Sequence, residues 1–498
     1  MEGLSYAWTA LTTTPAVFAA FGGVIWGILG GALPGISPSI AMALLLPFTY
    51  AMEPTTAIVL LAAVYVGAEY GGSIPAILIR TPGTNAAAAT AIDGYEMKRQ
   101  GRAGEALGIS LVTGVIGGLV GWAFLVMLTE PLAQVALMFT PPAYFALGVL
   151  GLSVIASLSN ESLVKGLMAG VVGLMIATVG TDPLSGVNRF TYGSPELLAG
   201  IPFILVMVGV FAVSELLVQS DKNAWERTDA AQARIVLPSW GMLKKLRRSM
   251  GIGSGIGAVE GVMPGAGGSI AAFMSYNEAK RWSKEPEKFG HGSEEAVAAP
   301  ETANNVVAGT ALVPMLSFGI PGSNSTAILL GGLLIHGLRP GPMLFEQSPE
   351  FIYGLFGGLL VANVSLLVIG IVIMTPAIWL VNRPKPYLLA AIYALIFSGI
   401  YSIHHSLFDL YIVLLAGGIG YLMRLMGFPF LPLVLGLVLG YLIESNYRRS
   451  LLLTNGDHMV FLQDPVSLGL LIVAVLFVVG SGIRDWRAIR RKRAQAQA

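Results

Sequence analysis

Residues 23–41 read GVIWGILGGALPGISPSIA, and residues 253–271 read GSGIGAVEGVMPGAGGSIA. Without a gap, the stretches agree at Gly23/Gly253, Gly27/Gly257, Gly31/Gly261, Pro34/Pro264, Gly35/Gly265, Ser39/Ser269, Ile40/Ile270 and Ala41/Ala271. A second pair follows each in the same order. Residues 75–85 read PAILIRTPGTN and residues 314–324 read PMLSFGIPGSN, so Pro75/Pro314, Pro82/Pro321, Gly83/Gly322, Thr84/Ser323 and Asn85/Asn324 coincide. Two ordered motifs recurring in two halves of one chain mark an internal duplication.

The sequence around these motifs is that of a membrane protein. The 498 residues are 55% hydrophobic and only 11% charged, where soluble domains carry about 25% charged residues. So few charges could not cover a soluble surface of this size. Disorder, a coiled coil and nucleic-acid binding are excluded on the same ground, and the chain reads as an all-α polytopic membrane protein in a lipid bilayer. There are no cysteines, which removes disulfides, thiolate metal sites and cysteine nucleophiles. Glu2 is the one early charge and Arg80 the first basic residue. The start of the chain therefore lacks the basic region of a cleavable signal.

Apolar stretches fall at 16–49, 55–79, 103–129, 143–158, 163–181, 198–219, 251–275, 303–335, 350–378, 387–402, 408–423, 430–443 and 464–483. The stretches at 16–49 and 303–335 exceed one crossing, and Pro264 interrupts 251–275. Seven basic residues lie in 221–248, and Arg484, Arg487, Arg490, Arg491, Lys492 and Arg493 close the chain. Both clusters belong in the cytoplasm by the positive-inside rule. If 16–49 and 251–275 are re-entrant hairpins, about 11 full spans remain, with the N-terminus periplasmic and the C-terminus cytoplasmic. Arg448 and Arg449 then fall on the outer side, against the rule.

This topology runs the first repeat from outside and the second from inside. The expectation is a first repeat at 1–220, a basic cytoplasmic linker at 221–250, a second, inverted repeat at 251–463, and an extra span with a basic tail at 464–498. Inverted repeats with broken helices build secondary transporters, whose binding site lies near the midplane. A Pro-Gly pair breaks a helix because Pro lacks the N–H and Gly tolerates unusual dihedrals. Each broken end leaves N–H groups that favour an anion or carbonyls that favour a cation. The substrate site is therefore expected among Ser37, Ser39, Thr84, Asn85, Ser269, Ser323, Asn324, Ser325 and Thr326. Gly35, Gly83, Gly265 and Gly322 would add backbone groups. The G-x3-G-x3-G rows before Pro34 and Pro264 read as close helix packing instead.

At these motifs the chain resembles the large membrane subunit of the tripartite tricarboxylate transporters (TctA-type). The resemblance is carried by GALPGISPSIAMALLLPFTY at 31–50, YGGSIPAILIRTPGTNAAAATAIDGYEMKRQGRAGEALG at 70–108, EGVMPGAGGSIAAFMSYNEAKR at 260–281, APETANN at 299–305 and GIPGSNSTAILLGGLLIHGLRPGPMLF at 319–345. It implies a cation-coupled secondary transporter in the bacterial inner membrane. Such a subunit receives a carboxylate from a periplasmic solute-binding protein (TctC-type) and works with a small membrane subunit (TctB-type). In that family Pro is common where Asn85 and Asn324 stand, and Asn where Arg80 stands. The symmetric Asn changes suggest a carboxylate of a different shape from the family's tricarboxylates; the substrate classes expected are a tri- or dicarboxylate or an aromatic carboxylate.

The remaining polar residues leave alternatives open. Glu69 and Glu260 are expected within or near the membrane, where acids are costly and often functional. Glu260 precedes a break and is a candidate charge partner, for a cation site or a proton step; a hydrogen-bonded packing role or an interfacial location is the alternative. Arg80 is either a charge partner for a substrate carboxylate or an interfacial anchor. His404, His405 and Asp409 include one i,i+4 pair suited to a metal, with no third ligand in view; an interfacial cluster is the alternative. No P-loop and no HExxH occur, so no ATP hydrolysis by this subunit and no cofactor is expected. The break motifs are rich in carbonyls and hydroxyls and poor in titratable groups. That favours sodium over protons as coupling cation, bound at backbone carbonyls near Pro34, Pro82, Pro264 and Pro321. A channel or a transporter acting alone, and a membrane-embedded enzyme, are the rival classes.

Overall fold

A computed structural model describes residues 14–33, 35–158, 162–182, 185–221, 233–263, 265, 267–383 and 385–497. Almost all regular structure there is helical; one two-residue ladder, Gly180–Thr181 with Asn188–Arg189, is the strand content among the described residues. Nine of the described helices are long and apolar enough to cross a membrane. Eight of them answer to the 11 spans expected from the sequence, and the ninth, Pro15–Ala32, falls in the stretch expected to be a re-entrant hairpin. The stretch at 303–335, expected to cross, is divided among the helices Glu294–Thr310, Leu312–Phe318 and Asn324–Ile335, none of them long and apolar enough. The stretches at 143–158 and 163–181 form helices whose apolar portions are Pro141–Ser157 and Leu163–Ala177, both under 18 residues. At 1.5 Å per residue they fall short of a ~30 Å hydrocarbon layer.

The chain divides into two compact units. The first comprises Met1–Gln134 and Glu215–Ser406, and the second Val135–Ser214 and Leu407–Ala498. Each unit draws from both halves of the chain, and all four Pro-Gly motifs belong to the first.

Within the first unit the duplication appears as two runs of five helices. One run is α1 (Thr14–Ala32), α2 (Pro38–Thr49), α3 (Pro54–Gly71), α4 (Ser73–Ile79) and α5 (Ala87–Arg99). The other is α6 (Trp240–Val262), α7 (Gly267–Trp282), α8 (Glu294–Thr310), α9 (Leu312–Phe318) and α10 (Asn324–Ile335). α4 and α9 have seven residues each, and both end in a left-handed residue, Arg80 in one and Gly319 in the other. The bond that closes this turn also repeats: Thr81 N–H donates to Pro75 O and Ile320 N–H to Pro314 O, both at 3.3 Å.

The stretches at 16–49 and 251–275 are each a long helix, a break and a shorter helix. α6 starts before residue 251. Ser239 caps it, accepting from Met242 N–H at 3.2 Å, and the helix runs through Lys244, Lys245, Arg247 and Arg248. Good helix formers and a Ser cap outweigh the polarity that marks this segment as a linker in the sequence. Residues 222–232 of that linker lie outside the described residues, as do Pro34 and Pro264.

The glycine rows make the seams inside each run. A Cβ at Gly23 would meet Leu60 O at 2.5 Å, and one at Gly27 or Gly31 would strike the carbonyl of Val64 or Ala68. In the second run, Cβ atoms at Gly253 and Gly257 would come within 2.5 Å of the carbonyls of Ala299 and Ala303. α1 thus lies backbone-close on α3, and α6 on α8, the approach that small residues allow in membrane helices. Gly257→Ala is expected to cost about 1–3 kcal/mol by overpacking, read as a lower melting temperature of the detergent-purified protein. An unchanged melting temperature would mean the seam yields freely.

In the second unit, helices Leu163–Ala177 and Phe430–Leu453 use the same device: Gly436 sits on the Gly170 carbonyl and Gly173 on that of Leu433. The extra span and basic tail form one helix, Pro465–Gln497. Arg448, one of the two arginines expected on the outer side against the positive-inside rule, is charge-paired here. Its guanidinium meets buried Asp182 at 2.7 Å and Glu444 at 3.3 Å. Glu444 also holds Arg189 at 2.7 Å.

Candidate functional site

The four breaks meet in pairs inside each run. Gly83 N–H donates to Gly72 O at 3.0 Å, and a Cβ at Gly83 would strike the Gly31 carbonyl. In the second run Gly265 N–H donates to Gly322 O at 3.0 Å, and a Cβ at Gly322 would lie 3.0 Å from Gly261 O. Gly31 and Gly261 are repeat mates, as are Gly83 and Gly322. Glycine is required here because one backbone passes directly over another.

The helices that leave the breaks then cross between runs. α10 packs on α2, and α5 on α7. Ala86 and Ala89 beside the second break form one cluster with Ala272 of α7. Ser37, Ser39, Ser323, Asn324, Ser325 and Thr326 therefore lie at the starts of one packed pair, and Thr84, Asn85 and Ser269 at the starts of the other.

The local chemistry of these starts is helix capping. The Ser37 hydroxyl accepts from Ile40 N–H at 3.4 Å and pairs with Ser39 Oγ at 2.8 Å. Thr84 Oγ1 accepts from Ala87 N–H at 3.3 Å. Ser323 and Thr326 form a reciprocal capping box, with Thr326 N–H donating to Ser323 Oγ at 3.2 Å and Ser323 N–H to Thr326 Oγ1 at 2.8 Å. Gly267, at φ +67°, replaces a capping serine at the third break. Thr84, Ser323, Ser325 and Thr326 are buried, and three of these hydroxyls are engaged in caps. Ser37, Ser269 and Gly265 are half-buried, and Gly35, Asn85 and Asn324 are exposed. The two repeat-mate asparagines thus present their amides at the open side of two helix N-termini.

Of the charge partners of the sequence reading, Arg80 stands just before the second break and Glu260 just before the third. Arg80 is exposed, and its guanidinium stacks over Tyr95 at 5.7 Å. Glu260 is half-buried in the last turn of α6. His404 lies edge-on to Tyr50, with ring centroids 6.0 Å apart. Of the proposed cation positions, Pro34 and Pro264 fall outside the described residues, while Pro82 and Pro321 stand directly before Gly83 and Gly322.

Several polar residues at the breaks are not legible as such in the sequence. Glu215, buried, lies beside Gly35 together with Gln219, whose amide donates to it at 3.0 Å. Glu301 of α8 is buried and receives hydroxyl hydrogen bonds from Ser73 at 2.5 Å, Ser110 at 2.9 Å and Thr90. Asn304, one turn further, donates from Nδ2 to Glu69 Oε2 at 2.9 Å. The APETANN segment is thus a buried polar face whose partners sit on other helices.

Asp93 serves the fold. Its carboxylate accepts from the main-chain N–H groups of Gly290, Gly292 and Ser293 at 2.8–2.9 Å and from Tyr276 Oη at 2.9 Å. The turn before α8 is pinned by this side chain. Asp93→Ala leaves those donors without their partner, at about 1.5–3 kcal/mol per hydrogen bond to a charged group. Amide exchange across 286–293 is expected to accelerate at least tenfold, and unchanged protection there would assign the turn's order to other contacts.

The model of a family described as the tripartite tricarboxylate transporter TctA family matches residues 17–435. An Agrobacterium vitis protein described as an uncharacterized 52.8 kDa protein in the TAR-I ttuC' 3' region is 40% identical over 488 residues, covering 97% of this chain and 96% of that protein. A second protein of that organism, described as uncharacterized in the TAR-II ttuC' 3' region, is 35% identical over 234 residues, 46% of this chain and 97% of its own length. No solved structure matches.

Proposed function

The chain belongs to the tripartite tricarboxylate transporter TctA family, and from that premise we propose that it is the large membrane subunit of a binding-protein-dependent importer of a carboxylate. As a member of a transporter family it is a multi-pass membrane component of transport. The finer reading is that it lies in the bacterial inner membrane with its C-terminus in the cytoplasm, and that a sodium gradient drives uptake. The partners are a small TctB-type membrane subunit and a periplasmic TctC-type binding protein. The two five-helix runs are read as inverted in the bilayer, a reading that the basic segments at 221–248 and at the C-terminal end support.

The observation that carries this reading is the pair of repeat-mate asparagines exposed at helix N-termini beside interlocked Pro-Gly breaks. A carboxylate leaving water needs replacement donors, or it pays several kcal/mol. Helix-end N–H groups, the half-buried Ser37 and Ser269 hydroxyls and the two amides are such donors, fixed before the substrate arrives. A cation bound nearby would offset the anion's charge, so each raises the affinity for the other.

The test is uptake in proteoliposomes holding the large and small subunits, with the binding protein outside. A panel of mono-, di- and tricarboxylates, with and without a sodium gradient, compete for transport. Saturable, concentrative and sodium-stimulated uptake of one carboxylate is expected. Downhill flux alone would make the protein a channel, and chemical conversion of the carboxylate an enzyme.

A further inference from the structure

We propose that the Glu69 carboxylate, together with the Asn304 side chain, is the seat of the coupling cation. This deepens the transport reading above and rests on it. Glu69 is in the last turn of α3, 7% exposed, and the hydrogen bond it accepts in the structure comes from Asn304 Nδ2.

The elements packed against α3 are α1, α2, α4, α8, α10 and the helix Pro349–Val372. α1, α2, α4 and α10 carry no titratable side chain. Helix 349–372 carries Glu350 and Tyr353 in its first turns. α8 carries Glu294 and Glu295 in its first turn, and Glu301. Glu294 is held by Arg102 and Lys245. α3 itself adds Tyr65 and Tyr70. Glu301 lies one turn before Asn304, whose amide bonds Glu69. Both acids are buried, and neither α3 nor any of these elements carries a basic residue, an arrangement that needs a bound cation or proton.

The two acids differ in what they can still accept. A carboxylate offers about four acceptor positions. Glu301 has three filled by the hydroxyls of Ser73, Thr90 and Ser110. Glu69 has one filled. Beside it, Asn304 Oδ1 is buried with no hydrogen-bond partner, and it lies over Gly268 in the first turn of α7. A carboxylate oxygen and an unpaired amide oxygen are the ligand type that small hard cations take.

The repeat supplies the second argument. In the register that aligns Asn85 with Asn324, Asn304 stands opposite Tyr65, and Glu69 opposite Ala308. The duplicated scaffold therefore folds with alanine at this place in its other copy, and the acid is an addition that packing does not demand. Its location joins two breaks. One turn before Glu69, Tyr65 Oη lies 3.4 Å from Ser323 Oγ, the cap of α10. On the other side, Asn304 touches α7. A cation at Glu69 would act on both helix starts that the substrate reading uses.

The experiment is saturable radiosodium binding to the purified full-length chain at fixed pH. Glu69→Gln keeps the side-chain shape and the Asn304 hydrogen bond; Asn304→Ala keeps the acid and removes the orphan oxygen. Both are expected to bind sodium at least tenfold more weakly while eluting as the wild type does, and the surface control Glu278→Gln should bind normally. Undiminished binding in both variants overturns the seat and leaves sodium coupling standing. If the wild type binds no sodium, uptake of the carboxylate selected by the panel is driven by an imposed pH gradient. Loss of that response in Glu69→Gln keeps Glu69 as the seat with a proton as the cation, and an unaltered response overturns it. A wild type that responds to neither gradient removes the cation-coupling reading itself.

Discussion

Alanine at both Asn85 and Asn324 is expected to lower carboxylate uptake about a hundredfold, and alanine at either one about tenfold. Each amide is taken to donate one hydrogen bond to a charged substrate, at ~1.5–3 kcal/mol per bond. The side chains stand on different runs and share no partner in the structure, so their losses should add. Both are exposed, so their removal leaves no buried group unpaired and should not lower the melting temperature. That separation of transport from stability is the useful part of the measurement. Wild-type uptake in both single variants and in the double variant would place the pocket away from these amides.

The sequence carries the duplication and the breaks in full, because both depend on residues close in the chain. Gly23, Gly27 and Gly31 announce a close helix seam through their spacing alone, and the structure places them on α3. Ser37, Thr84 and Ser323 stand three residues before the N–H groups that they cap, a separation that pattern reading reaches easily.

What the sequence hides is pairing over long separations. Glu301 is bonded by Ser73 and Ser110, 228 and 191 residues away. In isolation each is an ordinary polar residue near the end of an apolar stretch. Glu215 closes a stretch that reads as a plain span, and only the fold brings it to Gly35. The crossing of helices between the runs is hidden for the same reason. Nothing in α5 or α10 tells that each packs on the helix following a break in the other run.

Glu301 should then behave unlike the other polar residues of this unit. Glu301→Ala is expected to destabilise the protein by about 3–5 kcal/mol, enough to reduce its yield in membranes sharply. Three buried hydroxyls lose their acceptor, at about 1–3 kcal/mol for each group left unsatisfied, and the missing side chain leaves a cavity between α8 and its neighbours. Partial rescue among the hydroxyls keeps the total below the simple sum. Glu301→Gln retains the volume and one acceptor oxygen for Ser73 and Thr90, while Ser110 can rotate to accept from the new amide. Its loss should therefore be about 1–2 kcal/mol. Melting temperatures of the two variants in one detergent give the comparison. A Gln variant as unstable as the Ala variant would show that the negative charge itself, and not the bonded shape, holds Ser73, Thr90 and Ser110 in place. If neither variant is destabilised, the cluster is not part of what holds the run together. Glu301 would then join Glu69 as a candidate seat for the transported charge, because a buried acid that stability does not require is retained for what it binds.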